Sequence, residues 1–219
     1  MDGWYWLAFL LVAVALAFYA RHWYHRPSGI PETLKASYAS QLLEYMDYCA
    51  RREGHDSAQY EIERYKIIAH MNTRRLGWRE RNDIINFMVM INWVYEVDEH
   101  GNKFYVITND GIRELEEPDG LRAVVKESAQ ELHDDGISNS KARATAAAVI
   151  AAALRVDARS APPESSRRAK DSADDLERAV RTRDPDKIDH AITRSRDVLQ
   201  IVTLSLPFVR DILRILGSF

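Results

Sequence analysis

The longest uncharged stretch of this 219-residue chain lies at its start: from Trp4 to Ala20 no residue carries a charge. A helix rises about 1.5 Å per residue, so this run reaches roughly 25 Å, close to the ~30 Å of a bilayer's hydrocarbon core. Aromatic residues bracket it, with Trp4, Tyr5 and Trp6 on one side and Tyr19, Trp23 and Tyr24 on the other. A membrane-spanning helix places such residues at its two interfaces. A cleaved leader would begin with positive charge and end at a small-residue cleavage site. Here the start is Met1-Asp2-Gly3, and the cations Arg21 and Arg26 follow the apolar run. The pattern predicts an uncleaved anchor over 1–26 in a bacterial inner (plasma) membrane. Its N-terminus would lie outside, and the cationic flank would hold the remainder in the cytoplasm. Trp4, Trp6, Tyr19, Arg21, Trp23, Tyr24 and Arg26 are then the interface residues and the lipid bilayer is a partner. His22 and His25 share a helical face, and their reading is interfacial rather than metal-binding.

Composition adds little about partners. The formal net charge is −3, which shows no overall attraction to nucleic acid. Arginine outnumbers lysine 23 to 7, a bias compatible with a GC-rich bacterial genome. The single cysteine, Cys49, excludes an internal disulfide and a thiolate metal site.

After a breaker-rich linker at 27–31, three helical segments are predicted. The first opens at Pro31, carries Leu34, Tyr38, Leu42, Tyr45 and Cys49 at helical spacing, and stops at Gly54. The second opens on an Asp56–Gln59 capping box and carries Tyr60, Tyr65, Ile68 and Met71. The third spans about Trp78–Trp93. Alternation then predicts a hairpin around a Gly101-Asn102 turn, with Tyr95 and Val97 on one face and Phe104 and Val106 on one face of the returning strand. Thr108 is the predicted N-cap of a short closing helix.

The stretch "WVYEVDEHGNKFYVITNDGIREL" resembles the wing and exit of the winged-helix superfamily, and the likeness covers about residues 32–117. The resemblance implies that the third helix enters a DNA major groove and that the wing tip touches backbone. Arg74, Arg75, Arg79, Arg81 and Lys103 would be the phosphate contacts. Local charge disfavours that role for nucleic acid. Residues 31–117 hold 11 Lys or Arg and 16 Asp or Glu, a net of −5, whereas non-specific DNA affinity depends on neutralising phosphates. Beyond Asp83 the third helix reads "IINFMVMINWV", too apolar for a groove-reading face. Contact with protein, either another copy or an unknown partner, is the preferred expectation.

Residues 118–219 change to Ala-rich and Arg/Asp-rich helix. Helices are predicted over 120–132 and 139–156, a break falls at "SAPP", and a third helix runs to about Thr182. Asp184 caps a fourth, with Pro185 at its first position. In this last helix Ile188, Ile192, Ser195, Leu199, Val202, Leu206, Val209, Leu213 and Leu216 follow steps of four and three. That is a coiled-coil seam, to be covered by the preceding helices or by a second copy, and a homo-oligomer is the expectation. The region also resembles helical modules of small bacterial effector and defence proteins.

The expected fold is mainly α with a small β-hairpin wing: an N-terminal transmembrane helix, a winged-helix domain and a C-terminal helical hairpin or bundle. No phosphate-cradling glycine loop, paired-histidine metal motif or catalytic set is found, so the sequence predicts no enzyme, cofactor or metal. The leading expectation is a membrane-anchored regulator or scaffold acting by protein–protein contact. Its rivals are a membrane-tethered transcriptional regulator and an effector that perturbs membranes through its apolar last helix.

Overall fold

The computed structural model describes residues 28–135 and 139–201, together with Val12 and Val14. Among these residues the chain is mostly helical, with one small three-stranded antiparallel sheet. None of the described helices is long and apolar enough to cross a membrane. This corrects the transmembrane fold class and the single-pass inner-membrane placement drawn from the opening stretch. The residues that carried that expectation, Trp4, Trp6, Tyr19, Arg21, Trp23, Tyr24 and Arg26, lie outside the described residues.

Helix α1 (Glu32–Arg52) begins where Pro31 fixes the backbone, its carbonyl accepting the N–H groups of Leu34 and Lys35. It ends in a Schellman turn: Gly54 takes φ 79°, and the His55 N–H reaches back to the Ala50 carbonyl. Between these ends α1 is buried on more than one side. Leu34, Leu42, Leu43 and Met46 face apolar neighbours, while Thr33, Ser37 and Ser40 are buried polar positions.

The predicted second helix starts later than its sequence suggests. Asp56 and Gln59 form an isolated turn, the Ala58 N–H donating to Asp56 Oδ1 at 3.0 Å. Strand β1 (Ile62–Glu63) follows, and only then α2 (Arg64–Thr73). A two-residue strand is too short to show alternation, and it exists because Ile62 pairs with Tyr105 of a distant strand. Helix α3 (Trp78–Met90) comes next, its first turn closed by the Gly77 N–H donating to Glu80 Oε2 at 2.6 Å.

Strands β2 (Val94–Glu99) and β3 (Asn102–Ile107) form the hairpin, and the sheet order is β1-β3-β2. The turn is centred on His100-Gly101, one residue earlier than predicted, with both residues at positive φ (54° and 85°). This is the primed geometry that matches strand twist. The register pairs Tyr95 with Val106 and Val97 with Phe104, so these four residues share one face of the sheet. Val94, Tyr105 and Ile107 lie on the opposite face, against the helices.

Thr108 caps α4 (Asn109–Glu116), its Oγ1 accepting the Gly111 N–H at 3.1 Å and donating to the Asn92 carbonyl. Gly111 is required here, because a Cβ would lie 2.2 Å from the Trp93 carbonyl oxygen. Glu114, only 3% exposed, bends back to accept the N–H groups of Gly120 (2.7 Å) and Leu121 (3.2 Å) at the start of α5 (Asp119–Asp135). Burial pushes the Glu114 carboxyl up to about 7, against the lowering pull of those two N–H groups and of Arg159.

Helices α6 (Ser140–Ser160), α7 (Pro163–Thr182) and α8 (Pro185–Ile201) complete the described chain. Asn139 caps α6, and Asp184 caps α8 by accepting the Asp186 N–H at 3.1 Å. Every residue from Ala146 to Leu154 is fully buried, which makes α6 the centre of the C-terminal bundle. A helix apolar all round must be enclosed, and its alanines let α1, α5, α7 and α8 approach closely. Helix α1 packs on α3 and α4 on one side and on α5 and α6 on the other. The sheet-bearing half and the helical half therefore share it.

Two predictions follow from the junction. Gly111→Ala forces the Trp93 carbonyl aside and destabilises the chain by about 1–3 kcal/mol, measured by urea denaturation. For Glu114 the folded carboxyl holds its proton to a higher pH than the unfolded one. Its contribution is thus fully present in acid and is lost as pH rises from ~4.3 to ~7. Glu114→Gln should gain about 2 kcal/mol relative to wild type between pH 5 and pH 8, and an unchanged difference across that range contradicts the assignment.

Candidate functional site

The five cations expected to meet phosphate do not form one surface. Arg74 Nη1 pairs with Asp174 Oδ1 of α7 at 2.7 Å. Arg81 donates to Asn72, Arg79 is half-buried, and Lys103 Nζ sits 2.5 Å from Glu96 Oε1. Only the Arg75 guanidinium makes no hydrogen bond or ion pair with any described residue. The exposed part of α3 is apolar or neutral: Trp78 (39% exposed), Asn86, Val89 (40%) and Met90 (71%). On β2 the exposed residues are Tyr95, Glu96, Asp98 and Glu99, which give the hairpin an acidic flank.

The expected oligomer seam fares differently along its length. Ile188 and Ile192 are buried within the chain, where α8 packs on α6 and α7, and Ser195 donates to the Ala191 carbonyl at 2.6 Å. The Leu199 side chain and the seam residues Val202, Leu206, Val209, Leu213 and Leu216 lie outside the described residues.

The most concentrated chemistry lies where α1, the α2–α3 turn, α6 and α7 meet. Glu177 on α7 is 1% exposed. Its Oε1 accepts from Ser37 Oγ (2.7 Å), Gln41 Nε2 (3.2 Å) and Arg155 Nε (2.9 Å), and its Oε2 accepts from Arg155 Nη2 (2.9 Å). Such a forked guanidinium–carboxylate contact is a strong, directional ion pair. Arg155 also donates to Asp174, which receives Arg74 as well, so the network crosses from the helical half into the sheet-bearing half. The facing carboxylates hold the Arg155 guanidinium charged and push its proton affinity above the usual arginine range, despite the opposing effect of burial. Tyr38 lies beside them, and its hydroxyl is pushed up chiefly by burial and then by the Glu177 charge.

One turn further along α7, Arg181 grips the α2–α3 turn. Its Nη1 donates to the Arg74 carbonyl (2.9 Å) and its Nη2 to the Arg75 carbonyl, while Glu80 accepts at 3.1 and 3.2 Å. Positions 174, 177 and 181 share one face of α7, so a single helix face supplies the whole grip. Beside it opens a cleft of about 360 Å³, lined by Tyr38, Thr73, Arg74 and Arg75 on one side and by Asp174, Glu177 and Arg178 on the other.

Asp174 and Asp175 are neighbours on a helix and by pattern alone look like solvated or capping charge, and no local motif marks Arg155, Glu177 or Arg181. One signal was present. Arg155 stands between Leu154 and Val156 in a run with no polar face, where a charge has to meet a buried partner. No group of three or more metal-ligating side chains converges among the described residues.

No protein-family model matches the chain, and neither does any curated protein or any solved structure.

Breaking the buried pair from one side leaves an uncompensated charge. Glu177→Leu alone should destabilise the chain by about 3–5 kcal/mol. The double variant Arg155→Met with Glu177→Leu should recover most of that loss in the same chemical-denaturation experiment. A double variant no more stable than the single one would contradict a pairwise origin.

Proposed function

We propose that this chain acts by protein–protein contact, as a regulatory or scaffold module, through a winged-helix-like unit whose third helix faces protein rather than DNA. The order α1-β1-α2-α3-β2-β3-α4, with β1 added to the hairpin, supports the winged-helix reading. The observation that carries the functional reading is the character of α3. Its exposed residues are Trp78, Asn86, Val89 and Met90, with no cation among them. Arg74 and Lys103, which a DNA-binding reading would use, are paired with carboxylates of this same chain.

A surface of this kind fits another protein surface. Isolated exposed apolar residues are ordinary, but Val89, Met90 and Tyr95 (48% exposed) flank the single 91–93 turn. Burying a methionine or valine side chain contributes roughly 1.5–3 kcal/mol. The acidic residues Glu96, Asp98 and Glu99 form a charged margin, where they select against wrong partners more than they add affinity. A second copy of this chain is the proposed partner.

Sedimentation velocity of the full chain over a concentration series tests this. Self-association should be present, and Met90→Glu should weaken it by roughly 10-fold or more. Two results would overturn the reading: association unchanged in Met90→Glu, or tight binding to duplex DNA that weakens steeply with salt.

A further inference from the structure

The cleft between the α2–α3 turn and α7 has more positive charge than its own carboxylates absorb. Arg74, Arg155 and Arg181 are matched by Asp174, Glu177 and Glu80. Arg178, which also lines the cleft, pairs with Asp175 and donates its Nε to the Asp174 carbonyl at 3.1 Å. Arg75 lines the cleft with no partner among the described residues. One guanidinium charge, that of Arg75, is therefore left over here, in a chain whose net charge is −3.

The backbone adds an independent observation. Arg75 sits just beyond the end of α2 at φ 56°, in the left-handed region where glycine or asparagine is the usual choice. Gly54 fills the equivalent role after α1. Arg183 has the same conformation after α7, and there the guanidinium holds the Ser28 carbonyl at 2.5 Å. At Arg75 the same backbone strain is accepted, yet the guanidinium meets no acceptor among the described residues.

We infer that this cleft binds a small phosphate-bearing molecule, held between Arg75 from the sheet-bearing half and Arg178 from the helical half. Guanidinium forks on opposite walls suit a tetrahedral dianion, whose oxygens can accept from both sides at once. The volume of about 360 Å³ falls at the small end of the range for ligand sites, enough for a compact phosphate ester. Arg155, Arg74 and Arg181, already saturated by carboxylates, fix the walls, and the ligand replaces water in front of Arg75 and Arg178. Because the two cations come from different halves, a bound phosphate ties those halves together.

The test is a thermal-unfolding titration of the full chain with inorganic phosphate and with ribose 5-phosphate, each against sodium chloride at matched ionic strength. Both phosphates should raise the midpoint above the chloride control. A larger rise with ribose 5-phosphate marks an ester site, and an equal rise marks a site for the free ion. Arg75→Gly removes the guanidinium and relieves the left-handed strain, so it should fold with a basal midpoint about 2–4 °C above wild type. It should also weaken phosphate binding at least tenfold. Arg178→Ala should weaken binding similarly, and Arg113→Ala, whose side chain is 73% exposed on α4, should leave it unchanged. No phosphate-specific rise in wild type, or a rise that survives in both Arg75→Gly and Arg178→Ala, overturns the assignment. Neither result bears on self-association through α3.

Discussion

The forked contact between Arg155 and Glu177 is the interaction on which the rest of the molecule depends. Both groups are nearly removed from water, and a buried ion pair of this kind gives little net stability over a well-packed apolar pair. Its consequence is positional. Once α6 and α7 bury these two charges, Ser37 and Gln41 of α1 must meet the remaining lone pairs of Glu177, and Asp174 must share Arg155 with Arg74. Helix α1, the α2–α3 turn and the C-terminal bundle are thereby held in one relative arrangement. Arg181 extends the same face of α7 to the carbonyls that end α2.

This arrangement decides what the surfaces can offer. The α2–α3 turn, which a DNA-binding winged helix would bring toward the backbone of a duplex, is gripped here by α7. The cations near it are largely spent on the chain's own carboxylates. What remains outward on α3 is apolar or neutral, and what remains at the cleft is the Arg75 guanidinium, unmatched among the described residues. The proposed protein contact through α3 and the proposed phosphate capture in the cleft both start from one packing choice: α7 lies across the turn.

Local chemistry was legible in the sequence and long-range pairing was not. Thr108 and Asp184 cap the helices that their positions predict, because a cap depends on residues two or three places away. The hairpin register followed from alternation, but its turn was placed one residue late because His100, not only Gly101, adopts positive φ. Strand β1 has two residues and owes its existence to β3, so no local pattern announced it. The charged stripe at 174, 177 and 181 looks like a solvated face until α6 presents Arg155 to it. Arg74 looked like a phosphate contact until Asp174 was found beside it. Hydropathy at the N-terminus predicted a membrane span, and no helix among the described residues has that character.

The central claim is that the ionic seam makes the sheet-bearing half and the helical half one cooperative unit. Native-state hydrogen exchange of the full chain tests it most directly. Amides of α1 near Leu42 and Leu43, of α3 near Ile84 and Ile85, and of α6 near Ile150 should open with one common free energy and respond alike to denaturant. If α6 and α7 instead keep their protection while α3 and the hairpin exchange through a separate, cheaper opening, the seam does not couple the halves and the account is wrong.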